Sequence, residues 1–152
     1  ILINSNTYAD TEEVAASRGK EIHFITSGRL LTLASIAVPN MFKKDNLRRM
    51  DSKIQEILEI ADTHDPEGIA ASVRGMAARV DSTEFLAGLD LPVIAFFGDS
   101  DQFFPIDQVE ILQKALPSAV FHIVLNSGHD SYLEGPEFVA NKIVEFLTTG
   151  SC

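Results

Sequence analysis

The chain has 152 residues, 45% of them hydrophobic and 22% charged, enough for one domain with a real core. A net charge of −10 leaves no basic footprint to displace phosphate counterions, so no nucleic-acid partner is expected. No uninterrupted apolar run approaches the ~20 residues that span a bilayer and no leader segment is visible, so no membrane partner is expected either.

In chain order, "ILIN" at 1–4 opens as a short apolar strand. Residues 9–22 read as loop and helix, and 23–38 as an apolar helical segment interrupted by Gly28 and closed by Pro39. The basic cluster "KKDNLRR" at 43–49 reads as a solvated face. Leu47, Met50, Ile54, Ile57, Leu58 and Ala61 recur at three- and four-residue spacing, one stripe of an amphipathic helix. Asp65 and Pro66 supply an N-cap and a first-turn proline for the next helix. Its stripe is expected to run from Ile69 through Ala70, Val73, Met76 and Ala77 to Val80. The Met and Phe residues at helical spacing are expected in the core.

The pattern then changes. "LPVIAFFG" at 91–98 is continuously apolar, as suits a strand covered on both faces. A helix entered at Pro105 follows, then a second buried strand at 119–125, then an amphipathic helix from Pro136. This β-α-β-α order predicts a parallel sheet.

Ligands of open parallel sheets sit beyond the carboxyl ends of the strands, which makes three loops the candidates. After Ile3, the residues Ser5, Thr7 and Tyr8 fit a turn whose hydrogen bonds they satisfy or, less well, a pocket lining. After Phe97, "GDSD" at 98–101 places Asp99 and Asp101 two residues apart. They fit a turn, an acid that orients a histidine, or, less well, part of a metal site. After the next strand, His129 follows Gly128. Adjacent parallel strands lie ~4.8 Å apart, so an acid on one strand end can reach a histidine on the next. Glu134 reads as a local anchor and His122 as structural, while His23 and His64 have no partner motif.

"LPVIAFFGDSDQFFP" followed by "SGHDSYLEGPEFVANKIVEFL" resembles the C-terminal part of the α/β-hydrolase family, in its enol-lactonase-like and esterase-like branches. The upstream "ILINSNTYADTEEVAASRGKEI" is similar to the strand and loop after the nucleophile helix, and "GIAASVRGMAARVDSTEFLAGLDLP" to the end of the cap region. The resemblance implies an α/β fold, a three-layer parallel sheet of the hydrolase type that is incomplete. It divides the chain into a core strand and loop at 1–9, a helical cap region at 10–90 that shapes the substrate pocket, and a C-terminal core at 91–152, one structural unit in all. Asp101 would be the acid and His129 the base of a Ser-Asp-His triad acting on an ester, lactone or related carbonyl, with no cofactor and no metal.

The nucleophile elbow, Gly-x-Ser-x-Gly, does not occur in the 152 residues. The chain is therefore expected to be the C-terminal portion of a serine hydrolase, inactive alone. The strand at Ile1–Asn4 would be covered by the N-terminal half, a partner chain or a second copy. The alternative is a non-catalytic binding module of the same fold, or one half of a split enzyme. Cys152 reads as an exposed tail thiol, in keeping with a reducing compartment and a cytoplasmic location.

Overall fold

The computed structural model describes residues 1–149, so Cys152 lies outside the described residues. The chain divides into two compact units. One comprises 1–7, 40–50 and 83 onward; the other comprises 8–39 and 51–82. The first unit takes in 40–50 and 83–90, which the sequence placed in the cap region. The reason is local packing: Phe42 is fully buried, and the Asn46 amide donates to the Asn126 carbonyl at 2.7 Å.

The first unit is built on a parallel sheet of order β1-β2-β3, from β1 (Leu2–Ile3), β2 (Ile94–Gly98) and β3 (Val120–Val124). Leu2 pairs with Ala95, and Ile94 to Gly98 pair with Val120 to Val124 in unbroken register. Every residue of β2 is buried, which is why its sequence shows no polar alternation. Ile94 and Phe96 pack against Val124 and against Val139 and Phe146 of the closing helix. On the other face Phe97 stacks on Phe104 and Phe121, at 5.1 and 6.0 Å between centroids. Burying each such phenylalanine stabilises the fold by ~2 kcal/mol or more. The expectation of a second buried strand at 119–125 is corrected: Val124 alone of β3 is buried and the rest are half-buried, β3 being an edge of the described sheet.

The helices of this unit are α5 (Thr83–Ala87), α6 (Ile106–Ala115), α7 (Ser131–Glu134) and α8 (Pro136–Thr149). Pro105 stands at the N-cap of α6, as its fixed φ and missing N–H favour. The four-residue α7 was not anticipated, being too short for periodicity to report. Phe85 and Phe138, both on helices, are exposed, against the expectation that the Met and Phe residues at helical spacing are core.

The second unit lies between β1 and β2 in the chain and is all helical among its described residues. It holds α1 (Glu12–Phe24), α2 (Leu30–Asn40), most of α3 (Leu47–Asp62) and α4 (Pro66–Ala77). Asp65 caps α4 by accepting from Glu67 N and Gly68 N, with Pro66 in the first turn. Ile25, Ala70 and Val73 form its core, but Met76 and Val80 of the expected α4 stripe are exposed. Asp10 ties the unit's ends together, bonding Arg18 and, at 2.9 Å, Arg79.

The tract Glu12–Asn40 is, by length and composition, long and apolar enough to cross a membrane. It is not one straight helix. Gly28 adopts φ 78, a left-handed conformation that glycine accepts without cost. The Thr26 and Ser27 hydroxyls bond the carbonyls of Ile22 and His23, satisfying groups left open where α1 ends. The halves are 13 and 11 residues long, each below the ~20 residues a span requires.

Candidate active site

The carboxyl ends of β2 and β3 are drawn together by backbone bonds. Asp99 N donates to Val124 O at 3.1 Å and Ser100 N to Ser127 O at 2.9 Å. The approach requires glycine at 98, where a Cβ would stand 2.0 Å from the Gly128 carbonyl oxygen. It brings the acidic loop and the histidine loop side by side.

The two aspartates then part company. Asp99 accepts from Asn126 N at 2.8 Å, Ser127 N at 3.1 Å and the Ser100 hydroxyl at 2.9 Å. It anchors the turn after β3, in which Asn126 takes φ 59. Burial pushes its carboxyl up, but these bonds outweigh burial and hold it below the usual carboxylate value.

Asp101 faces His129. Its Oδ2 accepts from His129 Nδ1 at 2.8 Å and from Asn4 Nδ2 at 3.0 Å. Its Oδ1 accepts from Phe103 N at 2.8 Å and Phe104 N at 3.0 Å. Burial again raises its pKa, and the bonds from His129 and Asn4 bring it below the usual value. An ionised Asp101 only accepts, so His129 Nδ1 must carry a proton, and in the neutral ring Nε2 keeps its lone pair. The Asp101 side chain is fully buried, whereas that of His129 is 29% exposed. The Phe103 ring meets the imidazole edge-on, 5.1 Å between centroids.

Glu134 holds the histidine loop from beneath. It accepts from Gly128 N at 2.6 Å, from the Asn46 amide at 2.7 Å and from Lys43 N at 3.3 Å. With its oxygens so engaged it anchors the loop, as the sequence suggested. Thr7 shares a 2.6 Å hydrogen bond with the Thr83 hydroxyl, a packing contact of the turn after β1. His122 stacks on Phe96, and burial followed by the charge of Lys142 lowers its pKa. His64 Nδ1 lies 2.7 Å from the Ile60 carbonyl in the helical unit, and His23 sits in the last turn of α1. Among the described residues no cluster of His, Cys, Asp or Glu is arranged to hold a metal ion.

No family model matches the chain. Over 81 residues it is 30% identical to a pimeloyl-[acyl-carrier protein] methyl ester esterase of Vibrio vulnificus (strain YJ016), a match covering 53% of this chain and 31% of the esterase. A thermophilic esterase from Thermogutta terrifontis superposes with a TM-score of 0.88 at 26% identity, covering 97% of this chain and 54% of that one. The enol-lactonase from Burkholderia xenovorans LB400 superposes with a TM-score of 0.82 at 23% identity, covering 96% of this chain and 54% of its own.

The fold is that of the α/β hydrolases. The chain carries an open part of the hydrolase sheet, with flanking helices and a helical cap insertion between β1 and β2. It spans about half the length of the solved hydrolases it matches.

Within this hydrolase fold, two polar residues beside the pair carry no motif in the sequence. Asn4 was read only as the end of a strand, yet it is buried and touches Asp101. Ser131, fully buried, donates to Asn4 Oδ1. The available signal was position alone: Asn4 ends a strand at the same sheet edge as Gly98 and Gly128. Asp130, also buried, has its carboxyl raised, first by burial and further by Glu134 and Asp101.

Proposed function

We propose that this chain supplies the acid and the base of a Ser-Asp-His triad that hydrolyses an ester, a lactone or a related carbonyl compound. The observation that carries the reading is the 2.8 Å bond from His129 Nδ1 to a buried Asp101, with the imidazole itself partly open. That arrangement fixes the ring's tautomer and stabilises the imidazolium that forms when Nε2 takes a proton.

In the proposed reaction a serine hydroxyl, brought by a segment bearing the nucleophile elbow, loses its proton to His129 Nε2 as its oxygen bonds the substrate carbonyl carbon. The imidazolium returns that proton to the leaving alkoxide as the carbon–oxygen bond breaks. Water repeats the cycle: His129 takes its proton as the hydroxyl bonds the acyl carbon, and the proton passes back to the serine oxygen as its bond to that carbon breaks and the carboxylic acid is released. Asp101 stays ionised throughout, which its lowered pKa favours. The methyl ester esterase and the two solved hydrolases support a carbonyl substrate of this class.

The same reading makes the nucleophile-bearing segment the cover of the open β1 edge. A non-catalytic module is the competing reading, favoured by the lack of Gly-x-Ser-x-Gly among the 152 residues. The test is ester and lactone hydrolysis by the chain joined to a nucleophile-bearing half, before and after His129→Ala. We expect a loss of roughly four orders of magnitude in kcat. Retained hydrolysis in the variant would sink the triad. In the coding sequence upstream of Ile1, a Gly-x-Ser-x-Gly supports a trimmed or cleaved enzyme and a start codon a stand-alone module.

A further inference from the structure

We infer that Asn4 is a positioning residue for the Asp101–His129 pair, the central link of a hydrogen-bonded chain running from Ser131 through Asn4 and Asp101 to His129. Its catalytic consequence rests on the triad reading above; the geometry of the chain does not.

Donor and acceptor chemistry fixes the direction of each link. The Asp101 carboxylate and the Gly128 carbonyl can only accept, and they lie 3.0 and 3.4 Å from Asn4 Nδ2. The amide nitrogen therefore points at Asp101, and Oδ1 is left for the Ser131 hydroxyl, which donates to it. Asn4 is 7% exposed and Ser131 fully buried, so water is poorly placed to replace either bond.

The backbone is committed to the same task. Asn4 N donates to Phe96 O at 2.8 Å, keeping it on the sheet edge, and its φ of 45 lies in the left-handed region that asparagine tolerates better than most residues. Phe103 N and Phe104 N occupy Asp101 Oδ1, while Asn4 and His129 share Oδ2. Asn4 thus sets the rotation of the carboxylate that His129 meets. The charged group acting on Asp101 is His129, which favours its ionised form; Asp130 instead feels Asp101 and Glu134, both of which raise its own carboxyl. Lys43 acts on Asp99 instead. Asn4 is the uncharged side-chain donor that supports the ionised form.

The test is Asn4→Gly in the full chain, which keeps the left-handed φ accessible and removes the side chain that bonds Asp101 and Ser131. Asp101 is followed by carboxyl-carbon NMR through an acid titration. The midpoint is expected to rise by about one pH unit, because the ionised carboxylate loses a donor. A merely structural role would leave it in place, and an unchanged midpoint in the folded variant overturns the inference. Ser131→Ala keeps Asn4 but frees its amide, and should move the midpoint the same way by less. If Asn4→Gly does not fold, Ser131→Ala decides, and an unchanged midpoint there overturns the inference equally. With a nucleophile-bearing half present, Asn4→Gly should lower kcat about tenfold at unchanged KM and move the acidic limb of the rate profile upward. If His129→Ala retained hydrolysis, the triad reading would fall while the Asp101 titration still judged Asn4.

Discussion

Two aspartates separated by one serine carry opposite duties, and the difference lies in which groups reach them. Asp99 is spent on the N–H groups of Asn126 and Ser127, whereas Asp101 offers one oxygen to His129. Asp130, next to the histidine, is buried with its pKa raised by burial first and by neighbouring carboxylates next. The pH dependence follows from these directions. Asp101, Asp99 and Asp10 have folded values below the ordinary 3.8, so their contribution is full above that pH and is lost as pH falls through the folded values. Asp130 acts with the opposite sign: its folded value is above 3.8, so it costs stability as pH rises from there through the folded value. Asp130→Asn should therefore stabilise the chain at pH 7 and change it little at pH 3. Urea unfolding at the two pH values checks this, and an equal gain at both would refute the burial account. Neither the raised Asp130 nor the role of Asn4 is legible in the sequence, because both depend on burial and on partners far along the chain.

The elements show where local patterning is a sufficient guide. Asp65 with Pro66 starts α4 where capping chemistry places it, and the apolar run at 91–98 contains the buried β2. Patterning misleads where burial depends on neighbours: β3 is half-buried at its edge, and Met76 and Val80 on the α4 stripe face solvent. The junction of β2 and β3 is the most constrained feature of the sheet. A Cβ at position 98 would meet two backbone oxygens, at 2.0 and 2.5 Å, and backbone cannot yield as a flexible side chain can. Gly98→Ala should destabilise the chain by about 2–3 kcal/mol, the upper part of the range for overpacking, and loosen the Asp101–His129 contact. Chemical denaturation measures the first effect and histidine NMR the second. A cost below about 0.5 kcal/mol would show that the strand ends separate easily.

At the scale of the molecule, β1 is an edge of the described sheet, its two residues pairing with β2 on one side. An apolar strand edge with unpaired N–H and C=O groups is a template for another strand. Ile1, 55% exposed, extends that edge, and the net charge of −10 opposes association only weakly at physiological salt. We expect the chain alone to self-associate, and a nucleophile-bearing half to convert it to a one-to-one complex. Light scattering at high protein concentration, with and without that half, reads both states. A clean monomer throughout would show that the edge is protected.

The sequence by itself determined the succession of the longer helices and the strands, though not the short α5 and α7, because apolar periodicity, capping residues and prolines act over a few residues. It also left a short set of polar residues at strand ends, with Asp99 and Asp101 both open as partners of His129 until the family resemblance favoured one. Only the tertiary structure decided which atoms meet. Asn4 reaches Asp101 across 97 residues and Ser131 across 127, and Asn46 reaches Glu134 across 88. Such contacts leave no periodic trace. They exist because strand register and the glycine-permitted approach of β2 to the loop after β3 bring those donors and acceptors to one buried place.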